Sequence, residues 1–337
     1  MAVETEPGGV FATRDLKTDD AGRDDAFSWV DHLSRFSGLA VAQLYLLAAV
    51  LTVYDVFARY VLNAPTQWGS EIVMVLCAVA WMISAGYVTL KKRHIGITVF
   101  YLMASDRGKW RLDFFAYVVG VLALFLLSDD QLPRALEAID LREKFGSAFN
   151  SPQPMVLKTV LVVGAMIYLA QLMVNLWRHV ESRWAKGIVV AIAVAMVIRF
   201  VLVTFIHYGG DAGIAGTINE TLSAGGQFFN PQKVVNARDY DLGSASLVIV
   251  ALLLFLMMTG MPLGVVTLFV SVLTALAYFG PNGLYLVSIN AFGLLEKYPL
   301  IAVPLFVLMA SILEKAGIAE DLFDAMSIFA GNLRGGV

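Results

Sequence analysis

Between Ala245 and Gly280 the chain runs for 36 residues without an acidic or basic side chain. As one helix this run would be about 54 Å long at 1.5 Å per residue, whereas about 20 apolar residues suffice to cross roughly 30 Å of hydrocarbon. It is too long for one ordinary span. Gly260, Met261, Pro262 and Gly264 sit near its middle, and proline removes a backbone donor and clashes with the preceding turn. The run is therefore predicted to divide there, into two short spans or one broken helix.

Five further stretches are long, apolar and nearly free of charge: Leu39 to Phe57, Ile72 to Leu90, Leu112 to Leu127, Met155 to Trp177 and Ile188 to Ile206. A last span is predicted from about Tyr298 to Leu313, after an apolar stretch from Leu284 to Leu295 that is too short to cross and either lies at the interface or re-enters. The count is about eight spans, an all-α polytopic membrane bundle. With 58% hydrophobic and only 15% charged residues, against about a quarter charged in soluble domains, a water-soluble fold is excluded.

Lysine and arginine set the orientation, because cytoplasmic loops retain positive charge. The N-terminal tail, the second loop (Lys91, Lys92, Arg93, Arg107, Lys109, Arg111) and the fourth loop (Arg178, Arg183, Lys186) together carry thirteen; the alternate segments carry seven. The N-terminus is predicted inside, on a retained and flexible polar tail. By parity, the polar segment with Asp211, Glu220, Asp239 and Asp241 lies outside. Leu132, Leu136 and Ile139 recur at helical spacing, so Gln131 to Phe145 reads either as an amphipathic helix on the outer interface or as a loop helix packed on the spans. His94 to Ala104 is apolar enough to lie flat on the inner surface.

Enzyme chemistry finds no support. The single cysteine, Cys77, permits neither an intrachain disulfide nor a cysteine metal site. His32, His94, His179 and His207 lack a second ligand at helical spacing. There is no phosphate-cradling glycine loop and no nucleophile elbow. A net charge of −3 gives no argument for nucleic acid. ATP hydrolysis is thus not expected, and any solute movement needs an ion gradient or another subunit.

Ionisable groups at membrane depth are costly and call for explanation. Arg199 is expected to snorkel or to pair within the bundle. Asp55 and Arg59 are spaced as an i,i+4 pair, and Lys158 is expected to snorkel. Glu71, three residues after Trp68, is either an interface-anchored helix-start carboxylate or a subunit contact. Pro262, Pro299 and Pro304 recur in apolar stretches, as in the discontinuous helices of secondary transporters, although proline is common in membrane helices for structural reasons too.

These residues resemble a known family. Arg59-Tyr-Val-Leu-Asn63-Ala-Pro-Thr-Gln-Trp68-Gly-Ser-Glu71, then Gly86 and His94-Ile95, with Ser151-Pro152 and Pro154 ahead of the fourth span, is similar to the small membrane subunit (DctQ family) of tripartite ATP-independent periplasmic transporters. From Ala245, the segments Gly260-Met-Pro262-Leu-Gly264, Tyr298-Pro299 through Pro304-Leu-Phe306, Ala316-Gly-Ile-Ala319 and Leu333-Arg-Gly-Gly336 resemble the start of the large subunit (DctM family). The resemblance divides the chain into a polar cytoplasmic tail (1–36), a four-span small-subunit scaffold (37–182), a connecting span and external segment (183–244) and the first part of the large subunit (245–337). A four-span module that begins and ends inside cannot join directly to one that begins outside; the fifth span supplies the missing crossing.

The family implies a sodium-coupled, binding-protein-dependent importer of small organic anions in a bacterial inner membrane. Its partners would be an extracytoplasmic solute-binding protein, the rest of the large subunit and membrane lipid, with no nucleic acid. Sodium is implied as coupling ion, with ligands outside this chain; no resident cofactor or metal is expected. Arg59, Asn63, Trp68, Glu71 and His94 are implied as the small-subunit signature and its contact with the large subunit. Gly260, Pro262, Gly264, Pro299 and Pro304 are expected to break helices. The family's large subunits are longer, so the chain reads as truncated or split, supplying mainly scaffold; the alternative is a non-transporting scaffold or inactive product.

Overall fold

Hydrocarbon offers no water to a free N–H or C=O, so apolar runs of this length must close their backbone hydrogen bonds within themselves. The computed structural model describes residues 27–208, 242–297 and 299–330. Helices α1 (Ser28–Tyr60), α2 (Gly69–Leu90), α3 (Val99–Met103), α4 (Asp106–Asp140), α5 (Gln153–His179) and α6 (Arg183–Tyr208) come first. They are followed by α7 (Leu242–Met258), α8 (Leu263–Phe279), α9 (Gly283–Leu295), α10 (Pro299–Lys315) and α11 (Ile318–Ala330). Six helical stretches have the length and apolar character of spans, the sixth being Leu263–Leu295, and Gly243–Met258 is a shorter apolar helix. The protein is an all-α, multi-pass membrane bundle.

Contacts at the helix ends establish that neighbours alternate in direction. At one end Arg178, closing α5, grips Asp31 of α1 through two hydrogen bonds of 3.1 and 2.8 Å, and His179 Nε2 lies 3.1 Å from the Trp110 carbonyl near the start of α4. At the other, Ser151 ahead of α5 donates its hydroxyl to Glu71 at the start of α2, and His207 of α6 meets Asp140 of α4 at 2.6 Å. The first end carries the loops rich in Lys and Arg. Helices α2 and α5 pack so closely that a Cβ on Gly164 would stand 2.7 Å from the Met82 carbonyl oxygen, leaving no room for a side chain.

The structure extends two elements beyond their hydropathy. Helix α1 begins at Ser28, not near Leu39, so residues 28–36 belong to the first span and not to a flexible tail. The reason is a buried polar network: Gln171 donates to Asp31 at 3.1 Å and accepts from Ser34 at 2.8 Å, beside the Arg178 pair. Helix α4 runs unbroken through Pro133 to Asp140. The separate interfacial helix over Gln131 to Phe145 is therefore corrected: its first ten residues continue the third span. Leu132 and Leu136 are buried against Val162, Phe200 and Val203, which outweighs the hydrogen bond lost at the proline.

Charged groups at depth are paired. Arg199 donates to both oxygens of Asp129 at 2.8 and 3.1 Å, the bundle pairing allowed from the sequence. Asp55 holds Arg59 at 2.9 Å. Lys158 does not simply snorkel: it meets Glu143 at 2.5 Å and lies 5.5 Å from the Phe292 ring. The tail before Phe27, the segment with Asp211, Glu220, Asp239 and Asp241, Tyr298 and the Leu333 to Gly336 motif lie outside the described residues.

Removing Asp31 alone strands the Arg178 guanidinium. Asp31→Ala should cost about 2–3 kcal/mol of bundle stability, the low side of a broken buried pair because both partners keep some exposure. The double variant Asp31→Leu/Arg178→Met should cost less than Asp31→Ala, as read from thermal midpoints in detergent.

Candidate functional site

The break between α7 and α8 is made by residues that cannot continue a helix. Gly260 has φ +88, a region L side chains avoid, and Pro262 lacks the N–H that would close the next turn. Gly260, Met261 and Pro262 are nonetheless buried, so their backbone needs partners inside the protein. The loop after α2 supplies them. Leu263 N–H donates to the Ile95 carbonyl at 2.8 Å, and Gly96 and Pro262 form an antiparallel bridge. A Cβ on Gly96 would stand 3.0 Å from the carbonyl oxygens of both Gly260 and Met261, and one on Gly260 would stand 3.1 Å from Tyr101 Cβ. The two backbones meet here with no room for side chains between them.

Two aromatic residues brace this contact. The His94 ring stacks on Tyr168 of α5, with centroids 5.3 Å apart, and its Nε2 lies 2.8 Å from Thr89 Oγ1. Burial lowers the His94 pKa to about 4. Tyr101, on α3, reaches Asp113 at 3.4 Å; burial, and then the Asp113 charge, push its hydroxyl up to about 12. Below the contact, Ala116 and Val119 of α4 pack with Leu256, Met261, Val265, Val266 and Val270.

A second set of contacts lies at the opposite end. Gln131 Nε2 donates to the Ser288 carbonyl at 3.0 Å, and the Arg134 guanidinium lies 4.2 Å from the Tyr285 ring centroid. Leu295 is buried with Ala78, Leu157 and Leu161. Just beyond it, burial raises the Glu296 pKa, opposed by Lys158. Helices α8 and α9 thus lie along α4, with α9 touching α5 as well, while α7 packs on α8 and α3.

The expected site residues divide between two places. Asp55, Arg59, Thr66, Trp68 and Glu71 gather where α1 turns into α2: Thr66 donates to Asp55, and Trp68 stacks on Tyr54 at 6.1 Å. Asn63 takes φ +50 in this turn, a conformation asparagine tolerates. Glu71 is buried and accepts from the Ser151 hydroxyl and backbone N–H. These interactions stay within residues 48–151, whereas His94 immediately precedes Ile95 and Gly96, which pair with the 260–263 break. Of the expected helix breaks, Gly260 and Pro262 form one and Pro299 opens α10, while Gly264 lies in the first turn of α8 and Pro304 inside α10. A proline in the second turn leaves enough helix on either side for α10 to continue. Gly96, Tyr101, Gln131 and Ser288 were not singled out by sequence as contact residues.

Residues 48–182 match the family described as tripartite ATP-independent periplasmic transporters, DctQ component, and residues 250–337 match its DctM component. The chain belongs to the tripartite ATP-independent periplasmic transporters. It is a fusion of small- and large-subunit parts, which meet at Gly96 and Pro262, at Gln131 and Ser288, and where α10 packs on α2. This family comprises transporters, not enzymes. The chain is similar to the sialic acid TRAP transporter permease protein SiaT of Haemophilus influenzae (strain 86-028NP), with 21% identity over 85% of this chain and 42% of that protein. It is also similar to the C4-dicarboxylate TRAP transporter large permease protein DctM of Rhodobacter capsulatus, with 31% identity over 28% of this chain and 21% of that one. The chain thus spans less than half the length of these curated relatives.

His94 makes the contact acid-sensitive. Its folded pKa of about 4 lies below the ordinary 6.5, so the unfolded state takes up a proton first as pH falls. Stability should be unaffected above pH 7, decline between about pH 6.5 and 4, and level off below, by about 3 kcal/mol in all. Thermal midpoints of the wild type and His94→Gln across this range check this: the variant should lack that part of the decline.

Proposed function

We propose that this chain is the largely fixed membrane part of a sodium-coupled, binding-protein-dependent secondary transporter that imports small organic anions bearing a carboxylate, in a bacterial inner membrane. The observation that carries the reading is the locked contact between the two subunit parts. Backbone pairing at one end, Gln131 with Ser288 at the other and a buried apolar seam between them hold α8 and α9 against α4. A scaffold against which another domain moves needs such a joint.

Both similar proteins carry permease names, one for sialic acid and one for C4-dicarboxylates; both solutes are carboxylates, which supports the solute class without selecting an acid. The partners would be an extracytoplasmic solute-binding protein and the remainder of a large subunit. Sodium would travel as a co-substrate, bound by parts of the transporter that this chain does not span. Among the described residues, no group of three or more His, Cys, Asp or Glu is placed to hold a metal ion.

Two measurements test this. Vesicles containing the chain, the rest of a large subunit and the cognate binding protein should take up a carboxylate only with sodium higher outside; uptake indifferent to the gradient refutes the coupling. Cysteines replacing Lys91 and Asp239 should react with an impermeant thiol reagent from opposite faces, and reaction from one face refutes the orientation.

The joint itself can be tested in the full chain carrying a protease site between residues 209 and 241. After cleavage the two fragments should co-purify. Gly96→Val with Tyr101→Ala should reduce recovery of the second fragment several-fold, whereas Trp68→Ala with Glu71→Ala should leave it intact. The opposite ranking would move the contact to the turn between α1 and α2.

A further inference from the structure

An apolar groove of about 340 Å³ runs between the start of α1, the second half of α5 and α6 as far as Phe200, and no polar side chain lines it. It is bounded by Trp29 and Trp177 at one end and by Met166 and Phe200 at the other, with Val189 and Ala193 along its side. From residue 189 to residue 200 on α6 the helix rises about 17 Å, close to half of a hydrocarbon core of roughly 30 Å. The groove therefore has the depth of one leaflet, starting at the membrane surface where α6 begins.

The open end is aromatic and basic. Trp29 is 65% exposed and Trp184 87%, as suits rings at a headgroup boundary. Lys186 lies with its Nζ 4.4 Å from the Trp177 ring centroid, and Phe27 meets the same ring edge-on at 5.4 Å. Arg178 is engaged by Asp31, but Arg183 is exposed about two turns before the groove. From Trp177 to Arg199 the only acidic residue is Glu181. A long apolar slot of single-leaflet depth below a positive rim fits a lipid tail below an anionic headgroup.

We propose that this groove holds an acyl chain of an anionic phospholipid from the leaflet on the Arg183 side, with its phosphate headgroup beside Arg183 and Lys186. The lipid then fills the gap between α6 and the α1–α5 pair and seats the connecting helix. This does not depend on the transported solute or on sodium.

The test uses the full chain purified in mild detergent and incubated with phosphatidylglycerol or phosphatidylcholine of identical acyl chains. Native mass spectrometry should show about tenfold or greater preference for phosphatidylglycerol. Arg183→Gln/Lys186→Gln should abolish the preference. Ala193→Trp, which fills the groove, should abolish retention, while Val201→Trp on the exposed face of α6 should not. Equal retention of the two lipids by the wild type, or undiminished retention by a folded Ala193→Trp, overturns the proposal. Should Ala193→Trp fail to fold, quenching decides: brominated phosphatidylglycerol should quench wild-type tryptophan fluorescence more than brominated phosphatidylcholine, and by less in Trp177→Phe. Equal quenching by the two lipids likewise overturns it.

Discussion

A helix interrupted inside a protein must find other partners for the backbone groups it frees, and the arrangement of this chain turns on how that is met between Met258 and Leu263. The partner is not another part of the large-subunit region but the loop that follows α2, paired through Ile95, Gly96, Pro262 and Leu263. Because the contact is between main chains, it tolerates almost no displacement: a shift of one residue along either strand would bring a Cβ into the space held open by Gly96 or Gly260. The pairing thereby fixes the register of α8 on α4.

Apolar burial alone could not do this. Lipid tails are as apolar as leucine, so packing valines of α8 against α4 gains only van der Waals contact and gives little discrimination between neighbouring registers. Directional contacts supply the discrimination, and they sit at both ends of the seam: the 95–263 hydrogen bond at one, Gln131 with Ser288 and Arg134 with Tyr285 at the other. The same division recurs among α1 to α6, where Asp31 with Arg178 and Asp129 with Arg199 join helices, and Lys158 with Glu143 joins α5 to the loop after α4, across surfaces that pack otherwise through apolar side chains.

The sequence was most legible where one physical term dominated. Uncharged length located the spans, and the coincidence of glycine and proline at 260–262 located the break, because no compensation can keep such a pair helical at φ +88. It was least legible where a distant partner changed the balance. Residues 28–36 read as polar tail because Asp31 is costly in a membrane helix, and only Arg178, 147 residues away, makes it acceptable. Pro133 behaves unlike Pro262, since Leu132 and Leu136 find a packing surface on α5 and α6 that no local pattern announces. The small-subunit signature was recognisable, yet Trp68 and Glu71 are spent on the turn between α1 and α2, while the joint uses backbone atoms that every residue possesses.

The joint also explains why the connection contains one crossing. The loop bearing Gly96 lies at the end of the bundle where α2 finishes and α4 begins. To bring Gly260 to that loop, α7 must arrive there from the opposite end, so the chain leaving α5 has to traverse the bundle once before α7 begins. Helix α6 makes that traverse with little packing of its own: only Val189 is fully buried along it, and Arg199 with Asp129 and His207 with Asp140 pin its far half. Its near half meets α5 through Lys186 over the Trp177 ring, and its flank from Val189 to Phe200 forms one wall of the apolar groove. A helix required by topology and packed so sparsely leaves a gap along its flank, and inside a bilayer a gap of that depth and polarity is a place for lipid.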